Sequence, residues 1–143
     1  MARPDANWLE SLSKTRLIAD AAHVEDGHFW AGVEFIIPDG WHIYWQNPGD
    51  SGIPTSIAWR LPAGMEAGSI HWPLPERQPM AGLVNYGYSE KIVLPVPIAV
   101  GDANAREGTL EAKADWLVCK DVCIPQSAEL SYDLAQDGSI ADA

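Results

Sequence analysis

Cysteine is nearly missing from this chain: 143 residues contain two. Two cysteines fit any redox compartment, so the count does not set the localisation. Basic residues are scarce as well. Lys plus Arg number 9 against 20 Asp plus Glu, a formal net charge of −11. That balance argues against nucleic acid and against anionic membrane surfaces as partners. Long apolar runs are absent. The longest, Ile92 to Val100, is nine residues and contains two prolines, too short and too broken to span a bilayer. The segment Met1 to Leu12 lacks the apolar centre of a signal peptide. If the protein is secreted, its signal lies outside this sequence. There is no internal repeat, no low-complexity segment and no convincing long helical periodicity.

What is present centres on Trp116-Leu117-Val118-Cys119-Lys120-Asp121-Val122-Cys123-Ile124-Pro125. Four steps along an extended strand cover about 13 Å, whereas a disulfide needs Cα atoms within about 4.4–6.8 Å. If the cysteines pair, the chain turns tightly between them. Trp116 to Val118 before and Ile124 after read as strand, and Pro125, which cannot donate to a ladder, suits an edge. Closing so small a loop restricts the unfolded chain by only about 2 kcal/mol, against about 4.7 for a hundred-residue loop. As a staple the pair is poorly placed; as a redox switch it is well placed. A turn-locking structural disulfide, or two free buried thiols, are the bland alternatives.

The rest of the chain reads as short strands separated by turns. Residues 1–14 form a polar lead-in, with a short helical turn expected over Asn7–Lys14. Alternation starts at Thr15. His28–Ile37 is the clearest strand, rich in aromatic and β-branched residues, and Trp41–Trp45 is its expected hairpin partner across Pro38-Asp39-Gly40. Thr55–Trp59 and Ala67–Trp72 read as strands. Pro73–Gly87 reads as a long loop, the kind that is often functional. Lys91–Val100 is a strand whose Pro95 and Pro97 suit an edge. Gly108–Cys119 and Ser127–Leu134 complete the set, and 135–143 is a flexible tail. Eight or nine short strands without a long helix predict an all-β antiparallel sandwich or barrel. Trp30, Trp59 and Trp116 are the expected core tryptophans.

Several segments, taken in order, resemble a known family: Asp39-Gly40-Trp41-His42-Ile43-Tyr44-Trp45, Asn47-Pro48-Gly49-Asp50-Ser51-Gly52, Tyr86-Gly87-Tyr88, Leu94-Pro95-Val96, and Asp115 through Pro125. Across residues 15–134 the chain is similar to the N-terminal periplasmic domain of the DsbD family of membrane thiol:disulfide reductases. It is closer to the ScsB branch, named for suppression of copper sensitivity, because only three residues separate the cysteines. The resemblance implies an immunoglobulin-like antiparallel β-sandwich in the periplasm. It implies a reversible Cys119–Cys123 disulfide and no cofactor. Electrons would come from a membrane reductase domain, of the same or another chain, and pass to oxidised thioredoxin-like periplasmic partners.

In that reading Cys119 and Cys123 are the catalytic pair, with Cys123 attacking and Cys119 resolving. Lys120 favours a neighbouring thiolate and Asp121 opposes it, so no strongly acidic thiol is expected. Tyr44 and His42, two apart and therefore on one strand face, would line the site. A cap over Met80–Tyr88, with Tyr86 or Tyr88 closing on the disulfide and Met80 beside them, would shield it. Two competing readings are weighed against the relay. One is a Cu(I) module using Cys119, Cys123, Met65, Met80, His42 and His71, although no compact metal motif joins them. The other is an immunoglobulin-like interaction domain with an incidental disulfide.

Overall fold

The computed structural model describes residues 12–80, 82–101 and 108–135. Among them are ten β-strands and no helix: β1 (Lys14–Ala19), β2 (His28–Ile36), β3 (Ile43–Gly49), β4 (Ser56–Arg60), β5 (Met65–Ala67), β6 (Glu76–Met80), β7 (Leu83–Tyr88), β8 (Lys91–Val100), β9 (Thr109–Cys119) and β10 (Cys123–Asp133). Leu12 and Ser13 are already buried, and Lys14 pairs with Ile36. The rest of the expected lead-in and helical turn, and the tail from 136, lie outside the described residues.

Every named strand pair is antiparallel. One layer runs β1–β2–β8–β5. In the other, β9 carries β10 on one edge. On its opposite edge β4 covers Glu111–Asp115, and His42, just before β3, continues along the same edge at Cys119. From there β3 leads to β7 and β6. The inward residues of both layers form the core. Phe29, Val33, Phe35, Leu94, Val96 and Ile98 come from one layer and Leu110, Ala114, Trp116 and Val118 from the other. Phe35 and Trp116 meet edge to face at 5.1 Å across it. Of the sandwich or barrel that the short strands and turns imply, this is the antiparallel sandwich, in the immunoglobulin-like form that the resemblance implies.

Several local expectations change. β3 does not pair with β2. The Pro38–Gly40 turn carries the chain into the opposite layer, where β3 pairs with β7. The expected loop over 73–87 is largely a β6–β7 hairpin, Glu76↔Gly87 to Met80↔Leu83; its prolines and weak periodicity hide it in the sequence. β8 is not an edge. Its Pro95 and Pro97 turn their ring nitrogens away from β2, toward the segment after β5, where only their carbonyls are needed: they accept from His71 and Gly68 at 2.8 Å each. β10 begins at Cys123 rather than Ser127, and Pro125 sits on that edge strand opposite Leu117. Trp116 is core and Trp59 packs against it, but Trp30 is 42% exposed on the outer face of β2. There Trp30 stands edge to face with His28 and His71 in an open trough of about 500 Å³.

Candidate functional site

Cys119 ends β9, Cys123 starts β10, and the two are direct cross-strand partners joined by a disulfide, with Cα atoms 4.1 Å apart. The register explains the short span. Cys119 spends both backbone groups on His42, just before β3: its N–H donates to the His42 carbonyl at 2.9 Å, and its carbonyl accepts from the His42 N–H at 3.0 Å. Toward β10 it therefore forms the narrow, non-hydrogen-bonded type of pair, with Cα atoms about 4.5 Å apart. The three-residue tip closes on itself, the Lys120 N–H donating to the Val122 carbonyl at 2.9 Å. The tight turn expected between the cysteines is the tip of the β9–β10 hairpin.

The two sulfurs are not equivalent. Cys119 is fully buried, while Cys123 is exposed, as are Lys120, Asp121 and Val122. Lys120 leans its side chain over Gly40 in the Pro38–Gly40 turn.

Alternation identifies the side of the sheet. Along β9, Leu110, Ala112, Ala114, Trp116 and Val118 enter the core while Glu111, Lys113 and Asp115 are exposed. Cys119 has the outward parity yet is buried, so something covers it from outside. Directly paired residues share a face, which puts His42 on the same face as Cys119. Tyr44, two residues on, follows; Ile43 between them points into the core. His42 is 6% exposed and Tyr44 fully buried, and His42 Nε2 lies 3.1 Å from Tyr44 Oη. The structure thus places His42 and Tyr44 in one row with Cys119. Burial lowers the His42 pKa and raises that of Tyr44, so both are neutral near pH 7.

Over the Tyr44 end of this row lies the segment from Gly49 to Gly52. The chain from Gly49 to Ser51 is stitched to β7. Asp50 N–H donates to the Val84 carbonyl (3.0 Å), and Val84 N–H donates to Asp50 Oδ2 (2.8 Å). Both the amide and the hydroxyl of Ser51 donate to Asn85 Oδ1, at 3.0 and 3.1 Å. Gly52, at φ 98°, then lies flat on the Tyr44 ring, where a Cβ would overlap it. Asn85 is fully buried, on the Tyr44 side of β7 by its parity with Gly87, the partner of Tyr44. An Asn-Pro-Gly-Asp-Ser-Gly string marks a turn, but only the register shows what it covers.

The proposed tyrosine cap is corrected. Tyr88 pairs with Ile43 and belongs to the core cluster, which puts it on the opposite face of the sheet from Cys119. Its hydroxyl donates to the Pro73 carbonyl at 2.7 Å, and burial pushes its pKa up to about 12. It is not a loop residue free to swing. Tyr86 has the same parity as Tyr88 and stacks edge to face with Trp45, centroids 6.3 Å apart. Met80 ends β6 opposite Leu83, and its side chain lies outside the described part of the structure. The ligands imagined for copper are dispersed. His71 and Met65 belong to the β8–β5 side of the sandwich and His42 to the other layer. Among the described residues no three His, Cys, Asp or Glu side chains gather as a metal site.

An immunoglobulin-like sandwich with a two-cysteine hairpin at its rim, one sulfur exposed and one sealed, defines a class: a carrier of an exchangeable disulfide. The family described as "Thiol:disulfide interchange protein DsbD, N-terminal" matches residues 13–134, and the chain belongs to it. The fold is similar to the N-terminal periplasmic domain of ScsB from Proteus mirabilis, at 26% identity and a TM-score of 0.70 over 94% of this chain and 50% of that one. The chain therefore spans about half the length of that relative. No curated protein matches it. Family, fold and cysteine pair together make this a thiol–disulfide exchange domain.

Proposed function

We propose that the domain is a periplasmic electron relay that reduces disulfides in partner proteins, Cys123 attacking and Cys119 resolving. The observation that carries this is the unequal exposure of the two cysteines. In the reduced domain the Cys123 thiolate attacks one sulfur of a partner disulfide. A Cys123–partner bond forms and the partner's other sulfur leaves as a thiolate, which takes up a proton. Cys119, deprotonated, then attacks Cys123 Sγ. The Cys119–Cys123 disulfide forms and the partner leaves as a dithiol. Two electrons have moved from the domain to the partner. A membrane reductase domain recharges the pair by the same exchange in reverse.

The partner chemistry follows from the rim. Val122, beside Cys123, is 60% exposed. An apolar side chain flanking a reactive sulfur suits a thioredoxin-like protein that offers its own disulfide in an apolar collar. The relay is tested by mixing the fully reduced domain with an oxidised thioredoxin-fold protein, alkylating, and weighing both. Each domain molecule should lose two thiols as each partner gains two. A pair that stays reduced beside an oxidised partner refutes the relay.

A further inference from the structure

We propose that His42 is the proton acceptor for the buried cysteine, taking the Cys119 thiol proton so that Cys119 can attack Cys123 and release the partner. The inference rests on the relay reading above and extends it to a step that reading leaves without a base.

The need for a base comes from burial. The resolving step requires a Cys119 thiolate, and a thiolate sealed from water has its pKa raised, not lowered. Lys120, the cation next in sequence, is exposed and rests over Gly40. The proton must go to a neighbour. His42 exchanges both backbone hydrogen bonds with Cys119, the pairing that holds two Cβ atoms about 5.5 Å apart on one face. Across β9 the row reads Cys123, Cys119, His42. The imidazole is therefore beside Cys119, on the side away from Cys123, where it does not obstruct the forming S–S bond.

Tyr44 completes the arrangement as a positioning residue. With the imidazole proton on Nε2, the ring donates to Tyr44 Oη across the observed 3.1 Å, and Nδ1 keeps the lone pair that accepts the thiol proton. The phenol stays neutral because burial disfavours its anion, so its oxygen is an acceptor that steadies the transient imidazolium. Gly52 against the ring holds Tyr44 in place. His42 itself is neutral at rest, since burial disfavours its charged form, and so is ready to act as a base. The remaining titratable groups around the row are Cys123, the exposed Lys120 and Asp121 at the tip, Asp39 in the turn before β3, and Asp50, whose carboxylate is engaged by Val84.

The balance is closed. Cys119–SH gives its proton to His42 and its electron pair to Cys123 Sγ. The Cys123–partner S–S bond breaks, and the departing partner thiolate takes a proton from the imidazolium or from water.

The test separates the two steps. The reduced domain is mixed with dithiobis-nitrobenzoate. Attack by Cys123 releases one coloured thiolate, and resolution by Cys119 releases the second. The His42→Gln variant should leave the first release unchanged and slow the second by roughly a hundredfold at neutral pH, the low end for general base catalysis. Its second phase should then rise tenfold per pH unit, whereas the parent's should level off once His42 is neutral. A second phase in His42→Gln with the parent's rate and pH profile overturns the proposal. If that variant does not fold, the parent decides: the His42 imidazole resonances, followed through a pH titration, should shift to a lower pKa when the disulfide is reduced, because a Cys119 thiol donating to Nδ1 favours the neutral ring. An unchanged titration overturns it. Absence of either release in the parent instead refutes the relay itself, leaving the two failures distinguishable.

Discussion

Adding one methyl group at Gly52 tests what holds the row beside the buried sulfur. Gly52 holds φ 98°, a region that side chains avoid, and its would-be Cβ overlaps the Tyr44 ring. Forcing alanine into such a backbone costs about 1–3 kcal/mol. The overlap adds a choice between displacing the ring and lifting the loop, and either loosens the row that holds Tyr44, His42 and Cys119. If reagents reach Cys119 through that local loosening, a cost of about 1–3 kcal/mol to the closed state speeds the reaction by about 5- to 150-fold. The assay uses Cys123→Ser protein, in which Cys119 is the one thiol, and follows its alkylation with and without Gly52→Ala. Global unfolding is measured alongside, so that loss of the whole fold is not mistaken for opening. Gly52→Ala protein that is less stable yet alkylates at the parent rate under native conditions would refute the assignment of this loop as what holds the row.

Other substitutions separate the two tyrosines offered as alternative cap residues. Tyr88→Ala should cost about 3–5 kcal/mol, as for a buried aromatic truncated in a core, whereas Tyr86→Ala should cost about 1 kcal/mol or less; denaturant unfolding measures both. Reducing the disulfide should lower stability by about 2 kcal/mol, because the loop it closes is short. The pH dependence has a definite sign. His42 has a lowered pKa when folded, so the unfolded chain binds the extra proton, and stability should fall as pH drops through about 6.5; His42→Asn should flatten that limb. Tyr88 has a pKa raised to about 12, so stability should fall as pH rises through about 10, and Tyr88→Phe should reduce that loss.

The cysteine hairpin was legible because its chemistry is local. Two cysteines four apart permit a disulfide only if the chain reverses between them. The strand β2 was legible from its aromatic and β-branched residues, and the sandwich from the density of strands and turns. What failed was what depends on non-local register. Tyr88 looks like a cap residue until its pairing with Ile43 puts it in the core. Pro38-Asp39-Gly40 looks like a hairpin turn, but chain reversal and passage to the opposite layer have the same local signature. Trp30 looks like core by composition, and parity alone puts it outside. Asn85, polar and fully buried, gives no local sign that it anchors the covering loop through Ser51. His42 and Tyr44 were singled out through the resemblance; the burial of Tyr44 on an outward face follows from Gly52 lying on its ring.

The central claim is that the exposed sulfur attacks and the buried sulfur resolves. The most direct measurement is trapping of the intermediate. Reduced Cys119→Ser and Cys123→Ser proteins are each mixed with an oxidised thioredoxin-fold protein, quenched with acid and resolved without reductant. The account predicts a one-to-one mixed disulfide through Cys123 in the Cys119→Ser protein, and almost none through Cys119 in the Cys123→Ser protein. Equal trapping by both, or trapping through Cys119 alone, would contradict it.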